Sequence, residues 1–155
     1  GIAYSRDEAR ITLTSVANVP GVSAEIFGPL ADANINVDMI VQNVSEIGAE
    51  TDVTFTVPRG DLQNALKAME KAKGKIKYKS LLSDKGVSKI SVIGVGMRSH
   101  AGIAQEMFRT LADKGINILV ISTSEIKISV LIAEEYTELA LRALHTAYDL
   151  DNDGK

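Results

Sequence analysis

Between residues 11 and 16, Ile11, Leu13 and Ser15 alternate with Thr12, Thr14 and Val16, a period of two that predicts a strand. Asn18-Val19-Pro20-Gly21 interrupts it and opens a helix. Val22, Ile26 and Leu30, with Phe27 and Ala31 beside them, then fall on one apolar stripe at helical spacing, which Asn34 closes. Strand-like segments follow near 36–45 and at 51–57, the latter reading TDVTFTV. Pro58 stops that strand, and Asp61 is placed to cap a helix carrying Leu62, Leu66 and Met69. A last strand is expected at 75–82, KIKYKSLL, where Lys75, Lys77 and Lys79 alternate with Ile76, Tyr78 and Ser80. The order is βαββαβ, the ferredoxin-like split unit.

The same pattern returns. Residues 21–40 (GVSAEIFGPLADANINVDMI) and 102–121 (GIAQEMFRTLADKGINILVI) agree at nine of twenty positions, at a constant offset of 81. The shared residues include Gly21/Gly102, Glu25/Glu106, Phe27/Phe108, Leu30/Leu111 and Asn36/Asn117, so the chain holds a duplicated module. The second copy predicts strands at 88–95, 117–123 and 127–133 and helices at 101–114 and 135–147. It then runs out, because DLDNDGK at 149–155 cannot make a fourth strand. An empty slot would leave an unpaired sheet edge. The spare apolar segment is Gly1-Ile2-Ala3-Tyr4, so the N-terminus is expected to cross over and complete the second sheet. The fold class is α+β: two βαββαβ modules in tandem, with 1–7 as the crossing strand, 8–83 and 84–148 as the modules and 149–155 as a tail.

Composition narrows the function. Seventeen Lys and Arg against twenty Asp and Glu give −3 over 155 residues, which argues against a nucleic-acid binder. Cysteine is absent, which removes disulfides, thiolate metal sites and cysteine nucleophiles. No apolar run approaches the roughly 20 residues of a membrane span and no signal peptide opens the chain, so the expected location is the cytoplasm.

Several motifs have ordinary explanations. Gly94-Val95-Gly96 follows a strand but lacks the third glycine of a dinucleotide fingerprint, since position 99 is Ser99. Asp149, Asp151, Asp153 and Gly154 resemble the start of a calcium loop, but the chain stops before the closing acid. Lys71 through Lys79 read as the solvated face of a strand. His145 has no spaced ligand partner, and His100 reads as a turn or capping residue, so no metal, cofactor or catalytic residue is assigned.

A more specific feature is the loop before each module's first helix: Asn18-Val19-Pro20-Gly21, and Arg98-Ser99-His100-Ala101-Gly102. Unbonded N–H groups near Gly21, Val22 and Ser23 suit a carboxylate, and Gly21 admits a ligand close to the backbone. Gln42 and Asn43 offer carbonyl oxygens to an ammonium and donors to a hydroxyl. Asn36 and Asn117 recur in both copies, either shaping the helix-to-strand turn or meeting a ligand. A small zwitterion fits this chemistry best.

At these residues a family resemblance enters. GIAYSRDEARITL (1–13), VDMIVQNVS (37–45), TDVTFTV (51–57), GVGMRSHAGIA (94–104) and ISTSEIKISVLI (121–132) resemble the tandem ACT-domain regulatory region of bacterial aspartate kinases. The resemblance implies binding of L-threonine and L-lysine, feedback inhibition of an ATP-dependent aspartate kinase, and occurrence as a separate small subunit in some relatives. It implies a homodimer through the ACT modules, and no catalysis by this chain alone. Its implied effector contacts are Asn18, Gly21, Ser23 and Gln42 from the first module, with Asn117 and Ile118 from the second. Ser124 and Glu125 match positions near a lysine subsite. Several lysine-responsive relatives carry Asp where this chain has Asn18, and a neutral amide pairs more weakly with an ammonium. The rival readings are a ligand-free assembly module, a reduced nucleotide-dependent enzyme lacking a phosphate loop, and a sensor serving another enzyme.

Overall fold

The computed structural model describes residues 1–44, 50–94 and 100–148. The chain divides into two units, one formed by Asp7–Lys85 and the other by Gly1–Arg6 together with Gly86–Lys155.

The chain opens with β1 (Ile2–Ser5), which belongs to the second unit. The first unit then runs β2 (Ala9–Ala17), α1 (Val22–Asp32), β3 (Ile40–Val44), β4 (Glu50–Val57), α2 (Leu62–Lys71), α3 (Lys73–Ile76) and β5 (Ser80–Asp84). Its antiparallel sheet has the order β3-β4-β2-β5. Ile11 and Leu13 face the helices and are fully buried with Ile26, Leu30, Phe55 and Met69. Phe27 of α1 meets Phe55 edge-on, with ring centroids 5.5 Å apart. On the opposite sheet face, the hydroxyls of Thr12 and Thr54 lie 2.9 Å apart.

The period-two pattern of β2 does not run to its end. The register with β4 shifts between Leu13 and Val16, a bulge at which Ser15 takes φ 53° and its N–H donates to Asp52 Oδ1 at 2.9 Å. Val16, not Ser15, therefore continues the buried face.

The lysine-rich strand is a second correction. Residues 73–76 form a short helix, Lys77 is left-handed at φ 57°, and the strand begins only at Ser80. Met69, Ala72 and Ile76 are buried at spacings of three and four, so burial here follows the helical period. The lysines still face solvent. Asp61 makes no side-chain cap; it lies in a 3-10 turn, Arg59–Asp61, leading into α2. Strand β3 starts at Ile40 rather than near 36, because the Thr56 hydroxyl accepts the Met39 N–H at 3.0 Å.

In the second unit β6 (Val87–Ile93), α4 (His100–Asp113), β7 (Val120–Thr123), β8 (Lys127–Ala133) and α5 (Thr137–Ala147) repeat the plan. The sheet order is β1-β6-β8-β7, so β1 fills the fourth-strand position, with Ile2 opposite Val92 and Ser5 opposite Lys89. The predicted crossover is present. Met107, Leu111, Ile128, Val130, Ala140 and Leu144 form this unit's own core. The first helix of each module ends alike: left-handed Asn34 and Gly115 let Ile35 N–H bond Leu30 O and Ile116 N–H bond Leu111 O, at 2.9 and 3.0 Å.

Candidate functional site

The sequence places the candidate loop where β2 hands over to α1. Asn18, Val19 and Pro20 are exposed, and Gly21 sits at the helix start with φ 89° and ψ −8°. The helix begins its bonding with Glu25 N–H on Gly21 O at 3.2 Å. Contrary to the expectation from sequence, Val22 N–H is not open: the tight turn directs it to Val19 O at 3.2 Å. The N–H groups of Gly21, Ser23 and Ala24 have no hydrogen-bond partner among the described residues, and no side chain caps them. Three such donors at a positive helix end make a carboxylate cradle. A Cβ on Gly21 would meet nothing within 4 Å, so the space above it is open.

Gln42 reaches the same end of the sheet. Both Gln42 and Leu13 lie opposite Val53, which places Gln42 on the helix-bearing face of edge strand β3. Strands β2 and β3 run in the same direction, so Gln42 and Asn43 stand toward the end where α1 begins, and both are exposed. Asn18, Gly21, Ser23 and Gln42 are thus gathered at one end of the first module.

The second-module candidates divide into two places. Asn117 and Ile118 precede β7; Asn117 is exposed, and Ile118 packs partly on the second core. Ser124 and Glu125 lie at the other end of β7, where Ser124 N–H bonds Lys127 O at 2.9 Å. Glu125 is therefore a hairpin-turn residue rather than a strand charge, and it is exposed. Gly94, with φ 73°, donates to Ile126 O at 3.0 Å, which seats this turn against the end of β6. One β7 strand separates the two pairs, so within this module they do not meet at one place.

His100 opens α4 instead of lying in the loop before it. Arg98, Ser99, Val95 and Gly96 lie outside the described residues, as do Asp149, Asp151, Asp153 and Gly154. Among the described residues no three His, Asp or Glu side chains group as metal ligands, and no helix is long and apolar enough to cross a membrane. The Ser15 bulge, immediately upstream of the loop, had no sequence signal. Its cause is Asp52, 37 residues away.

The ACT-domain family profile matches residues 11–72 and 90–148, one match per module. The aspartokinase of Pseudomonas aeruginosa is 53% identical over 151 residues, which is 97% of this chain and 36% of that protein. The chain thus spans about a third of that relative. A crystal structure of aspartokinase alpha and beta subunits superposes with a TM-score of 0.89 at 52% identity, covering 96% of this chain and 97% of the matched one. The ligand-free regulatory subunit of aspartate kinase from Thermus thermophilus gives 0.88 at 38% identity, with the same two coverages.

Proposed function

Because the chain belongs to the ACT-domain family, as the regulatory ACT region of an aspartate kinase, we propose that it senses L-threonine, L-lysine or both. It does so on behalf of an ATP-dependent aspartate kinase domain or subunit in the cytoplasm. One observation carries the reading. The open N–H groups at the start of α1 and the exposed Gln42 amide stand at one end of one sheet. The effector carboxylate binds at Ser23 and Ala24 over Gly21, and Gln42 reads the threonine hydroxyl. Asn18 lies beside them in the loop.

In a homodimer through the ACT modules, Asn117 and Ile118 of one protomer close the threonine site of its partner. Ser124 and Glu125 serve the lysine ammonium. Effector binding favours the dimer arrangement in which the kinase is inactive, with a coupling of about 1–3 kcal/mol.

Isothermal titration with threonine and lysine, alone and together, tests this. Gln42→Ala should weaken threonine binding about ten-fold while the melting curve stays put, since the side chain is exposed and outside the core. Unchanged affinity removes Gln42 from the site. A second reading, an assembly module without ligand, draws on Ile40 and Ile121, which are 52% and 44% exposed at matching positions of edge strands β3 and β7. It requires a dimer whose thermal stability ignores both amino acids.

A further inference from the structure

The second module carries a cleft between β1 and α5 that the amino-acid reading does not use. Its volume is about 540 Å³, and Ile2, Tyr4, Leu141, Arg142, His145 and Thr146 line it. The size is in the range of small-molecule sites. Alternation along β1 turns Ile2 and Tyr4 toward α5, while one face of α5 supplies Leu141 with His145 and Arg142 with Thr146, each pair four residues apart.

The lining has a definite chemical character. Tyr4 is 54% exposed, and the Arg6 guanidinium stands over its ring, 5.8 Å from the centroid. Arg142 is exposed as well. Among the described residues neither guanidinium meets a carboxylate and no acidic side chain lines the cleft. In a chain with net charge −3, an exposed ring with one arginine over it and another in the same cleft, neither paired with an acid among the described residues, is a local reversal of sign. A planar ring accepts a stacked aromatic base, guanidinium forks match phosphate oxygens, and the His145 ring nitrogens add a hydrogen-bonding edge. Ile2 and Leu141 give an apolar floor.

We propose that this cleft is a nucleotide site: Tyr4 stacks the base on the ring face away from Arg6, Arg142 holds the phosphates, and His145 hydrogen-bonds the ligand. The site lies within one module and shares no residue with the amino-acid site proposed above.

Calorimetric titration of the 155-residue chain with ADP, adenosine and pyrophosphate, without metal, tests it. ADP should bind more tightly than either fragment. Arg142→Ala should weaken ADP and pyrophosphate alike by about ten-fold, and Tyr4→Leu should weaken ADP and adenosine by about ten-fold while sparing pyrophosphate. Both side chains are exposed, and circular dichroism should report an unchanged fold. Three results would each overturn the assignment: no ADP binding, ADP binding indifferent to Arg142→Ala, or pyrophosphate binding as tightly as ADP with Tyr4→Leu silent. The last would leave only an anion patch. Loss of threonine binding would bear on the amino-acid site alone, because no residue is shared.

Discussion

Gly21 and Tyr78 show how single residues hold the first module in shape. Gly21 has φ 89°, a conformation that costs an L-residue about 1–2 kcal/mol. Since a Cβ there would meet nothing within 4 Å, Gly21→Ala is penalised by its backbone alone. A thermal melt should show a loss of about 1 kcal/mol. Titration of that variant should also show weaker threonine binding, because the Cβ occupies the approach to Ser23 and Ala24. Tyr78 is buried, and its hydroxyl donates to Met69 O at 3.1 Å. Burial, and then the nearby Glu70 carboxylate, raise its pKa above the ordinary value near 10. Its contribution is whole below about pH 10, where the phenol is neutral in both folded and unfolded chains. It is lost as pH rises through the folded-state pKa. Tyr78→Phe should cost about 1 kcal/mol at neutral pH and flatten the alkaline limb of the stability profile. A wild-type alkaline limb in that variant would exclude Tyr78 as its source.

Among the elements, β1 carries the most unusual duty. It is only four residues long, yet it shields one edge of β6 and lies against α5. Removing 1–6 would leave β6 as an open edge, with the bond from Ile93 N–H to Gly1 O, 2.8 Å, gone. Hydrogen exchange of the truncated chain should show lost protection in β6, while β2 and β4 keep theirs. Equal loss in both sheets would contradict the division into units. The crossing was legible because counting strands left the second sheet one short. Elements whose cues conflicted were less legible. Around residues 72–80, Ala72 and Ile76 fit a helix, Ile76 and Tyr78 fit a strand, and only packing beneath α2 selects the helix.

On the scale of the whole molecule, duplication produces two cores. Leu30 and Leu111 occupy matching repeat positions, both are fully buried, and each belongs to its own cluster. Leu30→Ala and Leu111→Ala should each cost about 2–5 kcal/mol. Exchange should accelerate chiefly in the first sheet for Leu30→Ala and chiefly in the second for Leu111→Ala; one common pattern for both would mean a single cooperative core. The repeat, the βαββαβ order, the apolar faces of α1 and α4 and the crossing N-terminus were all determined by the amino-acid sequence. They follow from short-range periodicity and from the need to pair every inner strand edge. The loop at 18–21 and its glycine were legible for the same reason, as a local break between two periodic segments. Which N–H groups remain open there was hidden from the hydrophobic pattern because it depends on turn geometry: Val19 O, three residues back, takes that of Val22. Tertiary structure alone set the bulge at Ser15, whose N–H is held by an Asp52 that arrives on another strand. It also parted Asn117 and Ile118 from Ser124 and Glu125, neighbours in sequence that a 3.2–3.4 Å rise per strand residue carries to opposite ends of β7.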